Sequence, residues 1–60
     1  MENDIMKVRI IANNTRKDLG ELILKTQPHH GEWVQMNEKI YAIHRILHTA
    51  NGLVLLVISV

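Results

Sequence analysis

Histidine offers this chain its clearest potential for chemistry, because four histidines occur in 60 residues. They fall into two pairs, His29 with His30 and His44 with His48. If residues 39–49 formed a helix, His44 and His48 would lie one turn apart and could share a zinc or other transition-metal ion. On a strand the same two residues would lie about 13 Å apart, which is too far to share one.

Other catalytic chemistry has no matching pattern in the sequence. Arg45 stands where the HExxH zinc-protease motif requires its glutamate. The six acidic residues flank turns or alternate with apolar residues, as on a solvated surface, and do not suggest a pair for acid–base catalysis. The chain has no cysteine, and no serine or threonine lies in a nucleophile-elbow pattern. We therefore expect no enzymatic activity and no cofactor, and a histidine-mediated metal-binding protein remains an alternative.

Basic residues near the N-terminus make nucleic acid an alternative ligand. Lys7, Arg9, Arg16 and Lys17 lie close together in the sequence, and small barrels bind single strands through basic grooves with stacking aromatic side chains. The formal net charge, however, is only +1. Such a balance gives little attraction to a phosphate backbone or to an anionic membrane. Nucleic acid stays an alternative partner, and no membrane partner is expected.

A binding surface for another protein is predicted around Trp33, Tyr41, His29 and His30. Trp33 follows a loop rich in turn-forming residues, where a lone tryptophan either fills the core or lies exposed as an interface anchor. The sequence favours core packing for Trp33 and retains the anchor as the alternative. The predicted function is a small non-enzymatic protein-interaction module, an adaptor or modulator.

The most apolar segment of the chain is its last eight residues, 53–60, which read LVLLVISV. A helix needs about 20 residues to cross a bilayer, so this segment is predicted to be a strand. Its side chains alternate between two faces that are both apolar, whereas a small barrel has one interior. The uncovered face is therefore expected to form the interface of a homo-oligomer, most simply a homodimer. That interface consists of Val54, Leu56, Ile58 and Val60.

Short apolar segments separated by turn residues predict an all-β fold. The expected strands are 7–12, 21–25, 32–36, 39–49 and 53–60. The expected turns are Asn13-Asn14, Gly20, the loop 27–31, Asn37-Glu38 and Asn51-Gly52. A phase change in the apolar pattern predicts a β-bulge near His44-Arg45. The turn spacing favours a five-stranded antiparallel meander that closes into a small SH3-like barrel, and the alternative is an α+β fold with a helix at residues 15–26 packed on a sheet.

Chain length limits the protein to one small domain, expected at residues 7–60 after a flexible leader at residues 1–6. A domain of this size buries only about 60% of the surface of its unfolded chain. Without cysteines it cannot use disulfides, so self-association is the expected source of further stability. The absence of cysteine and of a signal-peptide pattern indicates a cytoplasmic location.

Overall fold

The computed structural model describes residues 6–60, in which all regular structure is β-strand. The strands are β1 (Met6–Ala12), β2 (Asp18–Leu24), β3 (Trp33–Met36), β4 (Lys39–Thr49) and β5 (Gly52–Ser59). The all-β prediction is confirmed, and the alternative helix at residues 15–26 is replaced by a turn and β2. Met6 already belongs to β1, where it pairs with Leu24. The remainder of the expected leader, residues 1–5, lies outside the described residues.

The five strands form one sheet in the order β2-β1-β5-β4-β3. This is the order of a meander whose first and last strands have paired with each other. Because a meander reverses direction at every turn, its first and fifth strands run the same way, and the β1–β5 pair is accordingly parallel. The other three pairs are antiparallel. The curled five-stranded sheet agrees with the predicted small SH3-like barrel, but it is an open half-barrel, because β2 and β3 do not pair and leave a seam between them.

Two of the predicted turns form the hairpins on either side of β4. Asn37 and Glu38 both adopt left-handed backbone angles, with φ of 54° and 67°, as a two-residue hairpin turn of type I′ requires. After β4, the chain reverses at Ala50 and Asn51, one position earlier than the predicted Asn51-Gly52, and Gly52 is already paired in β5 with φ 128°. Because both hairpins are tight, β3, β4 and β5 form a continuous antiparallel unit.

The turn between β1 and β2 includes the predicted Asn13-Asn14, but two details differ from the prediction. Gly20 is not a turn residue but lies inside β2 opposite Ile10, beside a shift in register. The left-handed residue of the turn is Arg16, with φ 61°, rather than Asn13 or Asn14. Local composition suggested asparagine there because it tolerates such angles well. The closing bonds instead join Ala12 to the backbone of Arg16 and Lys17.

The predicted bulge lies at His44 on β4. Ile43 is opposite Val57 and Arg45 is opposite Leu56, so His44 is the extra residue between two adjacent partners. A bulge of this kind bends a strand and increases its twist, which helps a sheet of only five strands to curl. It also re-aims the side chain of the extra residue.

The core on the concave side of the sheet is small and lacks aromatic residues. Its buried members are Val8, Ile10, Met36, Ile43, Leu55 and Val57. The side chain of Met36 on β3 reaches across the open seam to Gly20 on β2. Its methyl carbon would lie 3.4 Å from a Cβ atom added to Gly20. The seam is therefore closed by side chains at this end. Residues 6–60 include no helix of the length and hydropathy needed to cross a membrane.

Candidate interaction surface

The side chains of β5 divide between the core and an uncovered outer face. Leu55 is completely buried inside the half-barrel. The residues predicted to form the oligomer interface all lie on the opposite side, and they are Val54, Leu56, Ile58 and Val60. Val54 and Leu56 are half-buried, while Ile58 and Val60 are 36% and 61% exposed. The structure thus brings together all four of these side chains on one outer strip.

Strands β3 and β4 widen this strip into a larger apolar surface. Leu47 on β4 lies opposite Val54, and Ala42 lies between Ile58 on one side and Trp33 on the other. Residues directly opposite in neighbouring strands have Cβ atoms about 5 Å apart, so these side chains form a continuous surface. We call it the apolar half of the outer face. Its members are Trp33, Ile40, Ala42, Leu47, Val54, Leu56, Ile58 and Val60.

Trp33 belongs to this surface rather than to the core, so the interpretation of Trp33 as core packing is wrong. The side chain is 63% exposed, and its neighbour Val34 packs inward instead. Val34 and Met36 occupy the inward positions of β3, so strand alternation requires Trp33 to face outward. The same alternation was visible in the sequence and could have assigned Trp33 correctly.

The other residues predicted to bind a partner divide between the interior and the surface. Tyr41 is half-buried and packs against the core beside Ile43, on the inner side of β4. It is thus separated from Trp33, because the two residues face opposite sides of the sheet. His29 and His30 are exposed in the loop that precedes β3. Of the four residues, the histidines and Trp33 remain available to a partner, and Tyr41 has a packing role.

The open seam between β2 and β3 holds a cleft of about 360 Å³. Its walls include Leu24 from β2, Trp33 and Val34 from β3, and Pro28 from the connecting loop. Edge strands expose unpaired backbone groups, which favour the addition of another strand. Trp33 borders both this cleft and the apolar half of the outer face, so it connects the two surfaces.

The outer side of β1 and β2 is charged instead. Lys7 Nζ lies 3.8 Å from Glu21 Oε1, and Arg9 contacts Asp18 at 2.6 Å and Glu21 at 3.1 Å. We call these four residues the charged half of the outer face. Two of the bases predicted to bind nucleic acid are therefore engaged by carboxylates. The other two, Arg16 and Lys17, are exposed in the turn before β2.

Asp18 is held in its ionised form by its surroundings. The Gly20 N–H donates a hydrogen bond of 2.9 Å to Asp18 Oδ1, and this bond is the largest cause of a lowered pKa at Asp18. Reduced hydration acts in the opposite direction, and Arg9 lowers the pKa further through a hydrogen bond and its charge. The glycine within β2 thus helps to fix the acidic partner of Arg9.

The two histidines of the hypothetical helical metal site do not converge. His44 and His48 both lie on β4, which is a strand, and His48 is opposite Leu53 near the end of the strand. Within residues 6–60, no group of three or more histidine, cysteine, aspartate or glutamate residues is placed to hold a metal ion. Because β4 is a strand, the helical arrangement that would let His44 and His48 share one ion does not form.

No protein-family model matches this chain, and comparisons with curated proteins and with solved structures found no significant similarity. Functional inference therefore depends on the surfaces described above.

Proposed function

We propose that this chain is a small cytoplasmic protein-interaction module without enzymatic activity, which binds a partner protein and forms a homodimer. The observation that carries the proposal is the apolar half of the outer face. Trp33, Leu47 and Val60 are 63%, 51% and 61% exposed, and they belong to one continuous surface. Exposed apolar patches rimmed by polar residues are typical of sites where proteins associate.

A second copy of the chain is the proposed occupant of the β5 part of this surface. The strip of four aliphatic residues is long and carries no charged residue along β5, although Arg9 and Arg45 lie opposite Val54 and Leu56 on the neighbouring strands. Such a strip can match itself about a two-fold axis, as isologous dimers require. Each large aliphatic side chain that is moved from water into an interface contributes about 1.5–3 kcal/mol. Because the core formed by residues 6–60 has six buried side chains, such a gain is comparable to the stability of the fold itself.

Trp33 is the proposed anchor for the partner protein. Tryptophan is enriched among the residues that dominate binding energy, because a single side chain contributes a large apolar area and an N–H donor. Its position between the apolar half and the seam cleft places it within reach of a partner segment that adds to either edge strand.

The nucleic-acid alternative has weaker support. Lys7 and Arg9 are paired with acidic residues, so their charges attract phosphate less than isolated bases would. The aromatic side chains also lie on opposite sides of the sheet, since Tyr41 packs inward. A stacking platform for bases would need both rings on one face.

Fluorescence of Trp33, the sole tryptophan of the chain, tests the proposal directly. We expect its fluorescence anisotropy to fall on dilution from high micromolar to nanomolar protein, because the dimer dissociates and a single chain tumbles faster. The Leu56→Lys/Ile58→Lys variant should show the low anisotropy at every concentration while its circular dichroism stays that of a folded β protein. A low wild-type anisotropy at all concentrations, unchanged by the double substitution, would contradict the dimer.

A further inference from the structure

The strongest unassigned feature of the molecule is a pair of histidines that the fold, rather than the sequence, brings together. The rings of His30 and His44 have centres 6.4 Å apart and are inclined at 48°. They come from different parts of the chain, the loop before β3 and the middle of β4. Both border a shallow depression of about 490 Å³ on the outer side of the sheet.

Backbone hydrogen bonds fix the position of the loop that carries His30. The Gly31 N–H donates to the Ile43 carbonyl at 3.0 Å, and the Ile43 N–H donates to the Glu32 carbonyl at 2.8 Å. These bonds extend the β3–β4 ladder beyond Trp33 and place the loop beside β4. Gly31 has φ 91°, an angle that side-chain-bearing residues rarely adopt, so glycine is needed at this position.

The β-bulge on β4 determines the direction of the second ring. His44 is the extra residue of the bulge, and its side chain is half-buried. Bulges re-aim side chains and are frequent beside functional sites. The bulge and the loop thus converge on the same point, with one imidazole supplied by each.

We propose that His30 and His44 together bind a divalent transition-metal ion such as Zn²⁺. Neutral imidazole is a preferred ligand of zinc, copper and nickel ions. With zinc–nitrogen distances of about 2.0–2.1 Å and tetrahedral angles, two rings that share an ion have centres about 5 Å apart. The observed separation of 6.4 Å is longer, so ion binding requires the exposed His30 side chain to rotate toward His44. The remaining positions on the ion are left to water or to a group from a bound partner.

Arg45 and the two other histidines serve as comparisons for the proposed site at His30 and His44. Arg45 borders the same depression, and its positive charge opposes the binding of a cation. His29 is on the same loop, but its Nδ1 lies 3.7 Å from Glu32 Oε2, and its backbone N–H donates to the same carboxylate. His48 is near the far end of β4. The chain therefore provides two matched control histidines and one residue whose removal should strengthen binding.

Titration of the full-length, tag-free chain with zinc chloride, followed by calorimetry, tests the proposal. We expect one Zn²⁺ per chain, with affinity reduced roughly tenfold or more in His30→Ala and in His44→Ala. His29→Ala and His48→Ala should bind as the wild type does, and Arg45→Gln should bind more tightly.

If His44→Ala alters the bulge, His30→Ala still tests the proposal, because His30 is exposed in a loop. Circular dichroism should show that His30→Ala is folded, and its loss of zinc binding then reports on the site alone. The proposal is overturned if the wild type takes up no zinc, or if His29→Ala or His48→Ala loses zinc as completely as His30→Ala does. Leu47 and Leu56 of the apolar half border the same depression, so light scattering on His30→Ala separates the two proposals. Loss of zinc binding with the dimer mass retained concerns the metal site alone.

Discussion

The outer face of this half-barrel has two halves that meet the solvent in different ways. On β1 and β2, Lys7, Arg9, Asp18 and Glu21 form a network of ion pairs. On β3, β4 and β5, most of the corresponding positions carry aliphatic side chains or the single tryptophan, and the exceptions include Gln35 and Arg45. Both halves belong to the same sheet, so the difference arises from side-chain choice and not from backbone structure.

The difference indicates which part of the surface is suited to water. Exposed ion pairs add little stability, but they keep an outer strand face hydrated and oppose unwanted association. The apolar half has less of this protection, because Arg45 is opposite Leu56 but Ile58 is opposite Ala42. Ile23 is an exposed apolar residue on β2, but Lys7 is directly opposite it on β1. A single exposed isoleucine of this kind is ordinary, whereas a continuous surface is not.

The largest expected effect is a loss of folding when a charge is placed on the inner face of β5 instead of its outer face. Leu55→Lys should prevent folding, because an unpaired charge in the core costs several kcal/mol in a domain stabilised by roughly 3–9 kcal/mol. Ile58→Lys places the same charge on the outer face and should leave the fold intact. Far-ultraviolet circular dichroism distinguishes them. Equal loss of structure in both variants would show that the two sides of β5 are not inner and outer as described.

A smaller effect is expected in the charged half. Arg9→Gln removes both ion pairs of Arg9 and should lower the urea midpoint slightly, by much less than any core substitution, without changing self-association. Because the Debye length falls to about 3 Å at 1 M ionic strength, the variant and the wild type should converge in concentrated salt. A change in oligomeric state on this substitution would break the distinction between the halves.

The smallest expected effect is a dependence of the free energy of unfolding on pH in the acidic range. The pKa of Asp18 is lowered in the folded state, so its ionisation stabilises the fold above the unfolded value of about 3.9. This contribution is lost as the pH falls through the lower pKa of the folded state. The free energy of unfolding, measured with urea between pH 5 and about pH 2, should therefore fall slightly more steeply with decreasing pH for the wild type than for Asp18→Asn. Parallel curves would mean that Asp18 gains nothing from Gly20 and Arg9.

Local patterns predicted the elements of this fold well. The bounds of β4, the bulge at His44 and the Asn37-Glu38 turn all follow from residues within a few positions of each other. The parallel β1–β5 pair follows from the odd number of strands once the barrel is assumed to close. The position of the seam could not be predicted in this way, because it depends on how the loop at residues 25–32 separates β2 from β3 in space.

The surfaces were harder to predict than the strands. Alternation along β5 correctly separated Leu55 from Leu56, and the same rule applied to β3 would have placed Trp33 outside. Tyr41 shares the inner face with Ile43, yet its aromatic character suggested a binding role. The proximity of His30 and His44 has no local signal, because it arises from hydrogen bonds between a loop and a strand 12 residues apart in the chain.

The mass of the wild-type protein in solution, measured by multi-angle light scattering at micromolar concentration, tests the central claim most directly. We expect twice the 6.9 kDa mass of the chain, and a return to the mass of one chain in the folded Leu56→Lys/Ile58→Lys variant. A well-folded wild type of 6.9 kDa at all accessible concentrations would contradict the account. The apolar half would then be stable in water without a second copy.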